Sequence, residues 1–465
     1  MIIIIVGSGG RENILAEKLN NGINKLYCIG ESINPDICKN VKSYMVVSPL
    51  NNYQLLLDYC DIIKPDLIVI GPEIVLNTPF VNECKKKFYY CIGPCKELAQ
   101  LETSKIFTRN LLTDIHENKY NPHFILIDKK NYNNQILDFT KKYNTDYVIK
   151  LDGLAGGKGV FVQGDHFQTI QEGLEIINNK ITNEDIVIEE KLIGEEFSLF
   201  TLSDGDNFIH LPPVQDYKRA YDYNKGPNTG GMGSIMNDFD FISNDDIKNC
   251  ENLNERVLKK MKSKFWKPYV GVLYGSYMKT KNGNIKLIEY NCRFGDSEVF
   301  NILNCIDTDL SKVFKSMAEG TLCITDVKIN KKTSVVKYLV PQGYPNNPIK
   351  KKINYHKIDN VYASSLNDSN YLLGSRSIAA YSEVKNINEA YEKCEKLIKI
   401  VNKDELYWRK DIGRKSLTYK SSGVDVDEGN KFVNLIKKDV ESTYNSNVLG
   451  KHGNFGGQFK YKNDV

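Results

Sequence analysis

Two oxygen-bearing side chains, Glu289 and Asn291, lie at the end of an apolar run and could ligate a metal ion. The run from Ile285 to Tyr290 is typical of a β-strand, in which side chains two positions apart share a face. A carboxylate beside an amide oxygen suits Mg²⁺ that bridges nucleotide phosphates. Arg293 stays on that face only if the strand continues, and in either position it could clamp a carboxylate bidentately. An edge strand with an ordinary salt bridge is the alternative interpretation.

A second set of candidates surrounds the glycine-rich segment Gly153 to Gly159, which lies between two apolar runs. Strand, glycine loop and strand predict a hairpin and not a P-loop, because no helix follows and the G-K-[ST] pattern is absent. Lys150 and Lys158 bracket this hairpin, whose glycine amides can approach phosphate oxygens. The later strand-like run Val187 to Leu192 could bind an adenine edge through its backbone. Each lysine alone is more simply a solvated side chain, but the set predicts a nucleotide site.

The N-terminal residues predict the opening of a doubly wound α/β domain. An apolar run from Ile2 to Val6 precedes Gly7 to Gly10, and apolar residues at helical spacing follow. The glycines match only part of a dinucleotide-binding pattern. They indicate either a tight turn or a phosphate site at a helix N-terminus, to which Arg11 would add positive charge. A second turn, Gly71 to Glu73, follows another strand and should face the same crevice.

Two polar segments, Gln215 to Arg219 and Gly226 to Gly233, predict a loop with many backbone donors; the loop proper is expected from Lys225 to Ser234. Asp216 supplies a carboxylate that could orient an amine. Surface loops of this composition are common, so an ordinary loop is an equal alternative.

The composition excludes several classes of protein. Among 465 residues, 62 Lys and Arg oppose 58 Asp and Glu, and a net charge of +4 is too small to indicate a nucleic-acid partner. The apolar start ends at Gly7, far short of a signal peptide or membrane span, so we expect a cytoplasmic protein without a membrane partner. The 11 cysteines contain no C-x-x-C pair, which predicts reduced thiols.

Taken together, the motifs resemble those of the glycinamide ribonucleotide synthetase family of ATP-grasp ligases, also called phosphoribosylamine–glycine ligases. The combination of LPPVQDYKR, GPNTGGMG and NCRFGD is specific to this family within the superfamily. The similar stretches keep the family's order over most of the chain and are GSGGRE (7–12), GPE (71–73), QLETSK (100–105), KLDGLAGGKGV (150–160), VIEEKLIGEEFS (187–198), LPPVQDYKRAYD (211–222), GPNTGGMGS (226–234), IEYNCRFGDSE (288–298) and YWRKDIG (407–413).

The resemblance implies an α/β fold, α+β in parts, in which a Rossmann-like domain precedes an ATP-grasp fold and a small C-terminal α/β domain follows it. Five segments are predicted: an N-terminal domain at 1–104, a small ATP-grasp lobe with a glycine-rich lid at 105–192, a large lobe with the metal and substrate site at 193–329, a C-terminal domain at 330–419, and a tail at 420–465.

The resemblance also implies a reaction. In this family ATP phosphorylates the carboxylate of glycine, and the amine of 5-phosphoribosylamine then attacks the acyl phosphate, in the second step of purine biosynthesis. Such chemistry needs a metal ion and cations more than a general acid or base. The expected ligands are ATP with Mg²⁺ or Mn²⁺, glycine and 5-phosphoribosylamine, and other enzymes of the pathway are candidate partners.

Matching positions imply roles for individual residues. The implied metal ligands are Glu289 and Asn291, and the implied catalytic substrate contacts are Arg293 and Asp216. ATP would be bound by Lys105, Lys150, Gly157, Lys158, Gly159, by Glu190, Lys191 and Leu192 at the adenine, and by Glu196 at the ribose. The two other substrates would be bound by Gly9, Gly10, Arg11, Glu12, Glu73, Asp216, Lys218, Asn228, Thr229, Gly230 and Arg293.

The chain departs from the family pattern at two positions. Asn13 stands where the family usually has His, and Gly156 where it usually has Ala. We expect the first to alter a contact near the ribosylamine pocket and the second to loosen the lid.

The tail carries a resemblance of its own. Residues from Tyr419 to Gly457 are similar to the beginning of aminoimidazole ribonucleotide synthetase, which in many eukaryotes is fused behind this family. Because only a small part of that enzyme is present, we expect a shortened fusion protein that does not catalyse the cyclisation.

Three alternatives remain at this stage. Another ATP-grasp carboxylate–amine ligase would keep the nucleotide motifs without needing LPPVQDYKR and GPNTGGMG. A non-catalytic paralogue would be expected to lose metal ligands, whereas Glu289 and Asn291 are both present. A dinucleotide oxidoreductase, suggested by the first glycine turn alone, would have to bind NAD.

Overall fold

The computed structural model describes residues 1–154, 159–414, 426–449 and 459–461. The chain forms two compact units, Met1–Arg414 and Lys415–Val465. The strands of the described residues are β1 (Ile2–Val6), β2 (Lys25–Gly30), β3 (Ser43–Val46), β4 (Leu67–Ile70), β5 (Tyr90–Ile92), β6 (Phe124–Leu126), β7 (Tyr147–Leu151), β8 (Val160–Val162), β9 (Ile186–Glu190), β10 (Gly194–Ser203), β11 (Phe208–His210), β12 (Gln215–Asp216), β13 (Arg219–Tyr221), β14 (Lys225–Asn228), β15 (Gly233–Met236), β16 (Gly271–Thr280), β17 (Ile285–Asn291), β18 (Thr333–Leu339), β19 (Val361–Ala363) and β20 (Ile378–Val384).

In the N-terminal part of the chain, α-helices alternate with the strands. They are α1 (Gly10–Leu19), α2 (Ile37–Asn40), α3 (Tyr53–Ile63), α4 (Glu73–Leu76), α5 (Phe80–Lys86), α6 (Gln100–Thr103), α7 (Lys105–Asp114), α8 (Tyr132–Tyr143), α9 (Ile170–Lys180), α10 (Asn244–Phe265), α11 (Glu298–Cys305), α12 (Leu310–Glu319), α13 (Ile387–Val401) and α14 (Val426–Ser442). Across the described ranges, we find no helix of the length and apolarity that a bilayer crossing requires.

The first sheet is parallel, with the strand order β3-β2-β1-β4-β5. Its central strands are runs of Ile, Leu and Val that are buried along nearly their whole length, as expected where helices cover both faces. Val6 of β1 pairs with Ile70 of β4, so the glycine turns that follow these strands lie at one edge of the sheet. The predicted parallel sheet of a Rossmann-like fold is therefore confirmed, and the two glycine turns share one edge of it.

A small antiparallel sheet, β6-β9-β7-β8, forms the next layer. Lys150 of β7 pairs with Val160 of β8, which confirms the predicted glycine hairpin. Ile149 and Ile188 of the sheet and Ile177 of α9 share a buried apolar cluster. The tip of the hairpin, with Gly156, Gly157 and Lys158, lies outside the described residues.

A second antiparallel sheet, β11-β10-β16-β17, carries the predicted metal ligands. Strand β10 pairs with β16 over its full length, and β17 completes the edge. Helix α10 covers one face, where Val257 and Met261 share an apolar cluster with Phe197 and Tyr277. The sheet thus supplies a rigid support for the end of β17.

A third sheet, β12-β15-β18-β20-β19, joins residues from both sides of the predicted boundary at 329/330. Gly233 of β15 pairs with Lys337 of β18, so the sheet is continuous across this point. The expectation of a loop from Lys225 to Ser234 was wrong at both ends, because β14 and β15 form there. Strand β15 pairs with β18, far along the chain, whereas β14 pairs with the nearby β13, and the glycine-rich local composition gives no sign of either pairing.

The second unit contains α14, which confirms the predicted helix from Phe432 to Val440. Residues 415–425 and 450–458, which carry most of the tail motifs, lie outside the described residues. The resemblance of the tail to a second enzyme therefore stays a prediction.

Candidate active site

Strand β17 presents Glu289 and Asn291 at its carboxyl end, two positions apart as predicted. Burial would raise the pKa of Glu289, but Lys218 and Lys150, helped by other cations, hold it below its usual range. The carboxylate is therefore ionised at neutral pH. Asn291 is 7% exposed, and its Oδ1 accepts a hydrogen bond of 3.0 Å from Arg293.

This donor set fits a divalent cation. Carboxylate and amide oxygens are hard ligands, and a nucleotide-bound Mg²⁺ takes its remaining ligands from phosphates and water. The described residues hold no group of three or more His, Cys, Asp or Glu side chains arranged around a metal position. The chain would thus supply only part of the coordination shell.

Two predicted phosphate-binding lysines lie near β17. Lys105, the first residue of α7, donates a hydrogen bond of 3.0 Å to the carbonyl of Gly153, at the base of the hairpin. Burial lowers the pKa of Lys105, against the effect of Glu289. Lys150 is 7% exposed and lies 2.6 Å from Glu189 Oε2. The structure thus brings both ammonium groups close to the carboxylate of the predicted metal site.

A buried ion pair between Arg109 and Glu189, both within the segment 105–192, was not predicted from the sequence. Arg109 Nε and Nη2 lie 2.7 Å and 3.1 Å from the two oxygens of Glu189. The same guanidinium donates to the carbonyls of Leu287 and Ile288 at 3.0 Å and 2.7 Å. Burial opposes ionisation of Glu189, but Arg109 and Lys150 hold its pKa to about 2. The pair fixes β9 of the small lobe against β17.

The predicted adenine segment begins at the end of β9. The amides of Glu190 and Lys191 donate to the carbonyls of His123 and Asp146, both at 2.9 Å. Lys191 Nζ donates to the carbonyl of Gln163 at 2.6 Å. All of these bonds are made to other residues of the small lobe. The binding of adenine by Glu190, Lys191 and Leu192 stays a prediction. Gly159, at the other end of the hairpin, accepts from the amide of Leu151 at 2.8 Å.

A cluster of carboxylates surrounds Lys218, one of the cations that lower the pKa of Glu289. Lys218 Nζ lies 3.1 Å from Glu196 Oε2 and 3.9 Å from Asp216 Oδ2. Burial raises the pKa of Asp216 to about 7, Lys218 opposes this, and Glu298 reinforces it. Asp216 Oδ1 is buried and finds no hydrogen-bond partner within the described chain. A carboxylate in this state suits an ammonium or amine donor.

The segment from Asn228 to Gly230 lies beside this cluster. The amide and the hydroxyl of Thr229 both donate to the carbonyl of Lys218 at 2.8 Å. Asn228 ends β14 opposite Arg219. The carbonyl of Gly230 accepts a bond of 2.7 Å from Arg376, a residue that no sequence motif indicated.

Arg293 follows the end of β17 and turns its guanidinium back toward that strand. Its Nη2 lies 3.0 Å from Glu102 Oε1, and its Nε lies 3.5 Å from Glu73 Oε2 without hydrogen-bond geometry. Burial raises the pKa of Glu102 to about 7, although Arg293 opposes this. Glu102 was not among the predicted site residues, even though QLETSK contains it. Its position shows that Arg293 is held by the protein on one side.

The N-terminal glycine turn is filled by a side chain of the protein. Gly9 N donates to Glu12 Oε2 at 2.7 Å, and Arg11 Nε lies 2.7 Å from Glu12 Oε1. Gly10 N donates to Ser364 Oγ at 2.9 Å. A Cβ at Gly71 would lie 1.8 Å from Glu12, so the second turn needs glycine to admit this carboxylate. Substrate binding by these residues stays a prediction.

Asn13, the departure from the family's His, is fully buried in α1. Its Nδ2 donates to the carbonyl of Ala363 at 2.8 Å and to Asp36 Oδ2 at 3.2 Å. The difference therefore falls within a packed polar network that connects α1 to the C-terminal part of the first unit.

Comparison with known proteins decides the family. Residues 1–102 match the N domain of phosphoribosylglycinamide synthetase, and residues 103–299 match its ATP-grasp (A) domain. The chain belongs to the phosphoribosylglycinamide synthetase family. The family and the fold class predicted from the sequence are thereby confirmed.

Relatives within this family align over nearly the whole chain. The phosphoribosylamine–glycine ligase of Methanocella arvoryzae is 33% identical over 435 residues, which are 90% of this chain and 98% of that protein. The enzyme of the same name from Methanosphaera stadtmanae is 35% identical over 439 residues, covering 90% and 97%.

Solved structures support the same fold. The crystal structure of phosphoribosylamine–glycine ligase from Thermotoga maritima has a TM-score of 0.75 at 27% identity and covers 88% of this chain and 100% of that one. The biotin carboxylase of Campylobacter jejuni, in complex with an ATP analogue, has a TM-score of 0.67 at 14% identity and covers 92% and 98%. The second likeness shows a shared ATP-grasp fold alone.

Proposed function

We propose that this chain is an ATP-dependent carbon–nitrogen ligase that joins glycine to 5-phosphoribosylamine and forms glycinamide ribonucleotide, ADP and phosphate. The observation that carries the proposal is the alignment with ligases named for this reaction, which spans 90% of the chain. The geometry of the site supports it, because Lys105 and Lys150 act on the carboxylate of Glu289. The carboxylate of Asp216, one oxygen of which has no hydrogen-bond partner among the described residues, lies beside Lys218.

The nucleotide half of the site comprises Lys105, Arg109, Lys150, Glu189 and Glu289. Glu289 and Asn291 would hold Mg²⁺ or Mn²⁺, which when bound offsets the charge on the transferred phosphoryl group. The lysines neutralise phosphate oxygens of ATP. The Arg109–Glu189 pair fixes the position of Lys150 relative to the end of β17, so the charged groups are in place before the reaction.

The acceptor half comprises Asp216, Lys218, the segment 229–231, Asp296 and Arg376. A glycine carboxylate oxygen attacks the γ-phosphorus, and the bond to the β-phosphate oxygen breaks to release ADP. The ribosylamine nitrogen then attacks the carbonyl carbon of glycyl phosphate, phosphate leaves with the C–O bonding electrons, and the nitrogen loses a proton to solvent. Asp216 would orient an amine through its unpaired oxygen, and Arg293 would hold the carboxylate.

The test is ADP release with Mg²⁺, ATP, glycine and phosphoribosylamine generated in place, with each component omitted in turn and the product identified by mass spectrometry. We expect ADP and glycinamide ribonucleotide only when all components are present. ADP release that ignores glycine, or that requires another acid, would overturn the substrate assignment and leave the fold unaffected. The cytoplasmic location and the contacts with other pathway enzymes stay predictions.

A further inference from the structure

Arg376 lies far from the motif segments in sequence and yet contacts two of them. Its Nη1 donates to the carbonyls of Gly230 and Gly231 at 2.7 Å and 3.0 Å and also to the carbonyl of Asp296. Its Nη2 donates to Asp296 Oδ2 at 2.9 Å. One guanidinium from the loop before β20 therefore holds both the segment beside Lys218 and the turn that follows Arg293.

The backbone around Arg376 is shaped for this contact. A Cβ at Gly230 would lie 2.9 Å from Arg376 Nη2, so a larger residue would push the guanidinium away. Gly231 has a φ of +111°, a conformation that side-chain-bearing residues rarely adopt. Glycines at these two positions let successive carbonyls turn toward one arginine.

Asp296 is held from a second side by Tyr338. The Tyr338 hydroxyl donates to Asp296 Oδ1, and the ring lies under the Arg376 guanidinium at 4.8 Å. The same hydroxyl lies next to Gly10, where a Cβ would come within 2.4 Å of it. Aromatic stacking and bidentate pairing both restrict the arginine to one orientation.

We propose that Arg376 is a positioning residue of the acceptor half, which acts with Asp296 and Tyr338 to fix the segment 229–231 and the turn after Arg293 relative to each other. The proposal rests on the proposed function for what the segment binds, but the contacts themselves do not depend on it. All the described contacts of Arg376 are made with groups of the protein. Arg376 therefore affects the reaction through the segments that it positions.

The test combines kinetics with amide hydrogen exchange in the full chain. In Arg376→Lys, which keeps the charge but loses the fork of donors, we expect KM for glycine or phosphoribosylamine to rise between about tenfold and a hundredfold, while KM for ATP changes less than about twofold. Exchange at the amides of Thr229 and Gly231, which are bonded to Lys218 O and Thr229 Oγ1, should become faster.

Tyr338→Phe keeps the ring and removes only the bond to Asp296, so it should show the same pattern to a smaller extent. Its matched control is Tyr381→Phe on the neighbouring strand β20. This change removes a hydroxyl that is bonded to Glu383 at 2.6 Å. The control should leave all three KM values and the exchange of the segment unchanged. Arg256→Lys, at an exposed guanidinium that pairs with the buried carboxylate of Glu117, is the control for the arginine.

Unchanged exchange at Thr229 and Gly231 together with wild-type kinetics in Arg376→Lys would overturn the proposal. An equal rise in KM for ATP and for the other substrates would also overturn it, since that pattern indicates a general structural role. If Arg376→Lys does not fold, the contrast between Tyr338→Phe and Tyr381→Phe decides. If the wild type makes no product, the proposed function fails. The exchange measurement then still decides whether Arg376 fixes the segment 229–231.

Discussion

The nucleotide half and the acceptor half of the site handle buried charge in opposite ways. In the nucleotide half, Glu189 is held by Arg109 and Lys150, and the pKa values of both Glu189 and Glu289 are lowered. In the acceptor half, the pKa of Asp216 is raised to about 7 and one of its oxygens has no hydrogen-bond partner in the described chain. The first arrangement suits a polyanion, and the second leaves an acceptor that suits a ligand that donates hydrogen bonds.

The largest effect is expected from Glu289→Ala. Loss of the ionised ligand should lower turnover on the order of a thousandfold, because charge on the transferred phosphoryl group is no longer offset. The fold should persist, which a thermal unfolding midpoint close to that of the wild type would show. Asp245→Ala, an exposed carboxylate on α10, is the control and should keep full activity. Unaltered turnover in Glu289→Ala would refute the metal assignment.

Arg109→Met tests whether the nucleotide half depends on its buried pair. The change leaves Glu189 with Lys150 alone and strips two carbonyls of their donor, so we expect a loss of about 3 kcal/mol in the free energy of unfolding. KM for ATP should rise as well. Denaturant titration measures the first effect and initial rates the second. Arg256→Met removes an ion pair whose guanidinium is exposed, and it should cost less than Arg109→Met; equal losses would show that the fully buried pair has no special role.

Asp216→Asn tests the acceptor half. We expect kcat/KM for glycine to fall between about tenfold and a hundredfold, with KM for ATP unchanged, since only the acceptor half loses a charge. An equal effect on both substrates would remove the distinction between the halves.

The same variant gives a prediction for stability against pH. Because the pKa of Asp216 is raised from 3.8 to about 7 on folding, the native state binds its proton more tightly than the unfolded state does. This contribution is fully present below about pH 4 and is lost as the pH rises to about 7. Without ligands, the wild type should therefore lose stability relative to Asp216→Asn over this interval. A difference in unfolding free energy that does not vary with pH would contradict the raised pKa.

The smallest effect is expected from Lys191→Met. Its ammonium bonds to Gln163 O at 2.6 Å and lies 3.7 Å from Asp146, contacts within the small lobe. We expect KM for ATP to rise by less than about threefold, as for a partly exposed ion pair. A rise above about tenfold would instead show that Lys191 contacts the nucleotide directly.

The sequence predicted correctly those structural relations that join residues close together in the chain. The hairpin around Gly153 and the shared face of Glu289 and Asn291 follow from strand periodicity and local composition. Whether Arg293 leaves that face was open, because the answer depends on Glu102 and Glu73 from other segments.

Partners joined only by the folded chain could not be found in this way. Arg109 has no distinctive neighbours on α7, and its role comes from carbonyls of β17 far along the chain. The role of Arg376 and the pairing of β15 with β18 likewise depend on contacts with distant segments. A single sequence carries no record of such pairings.

The continuous sheet β12-β15-β18-β20-β19 limits how the protein can be divided. A chain cut at residue 329 would lose β18 and leave β15 with a row of unsatisfied backbone groups along an open edge, a template for association with other chains. The same cut would remove Arg376 and its hold on the acceptor segment. The C-terminal segment of the first unit is therefore not a detachable module, and expression of the ATP-grasp lobes alone should yield aggregates.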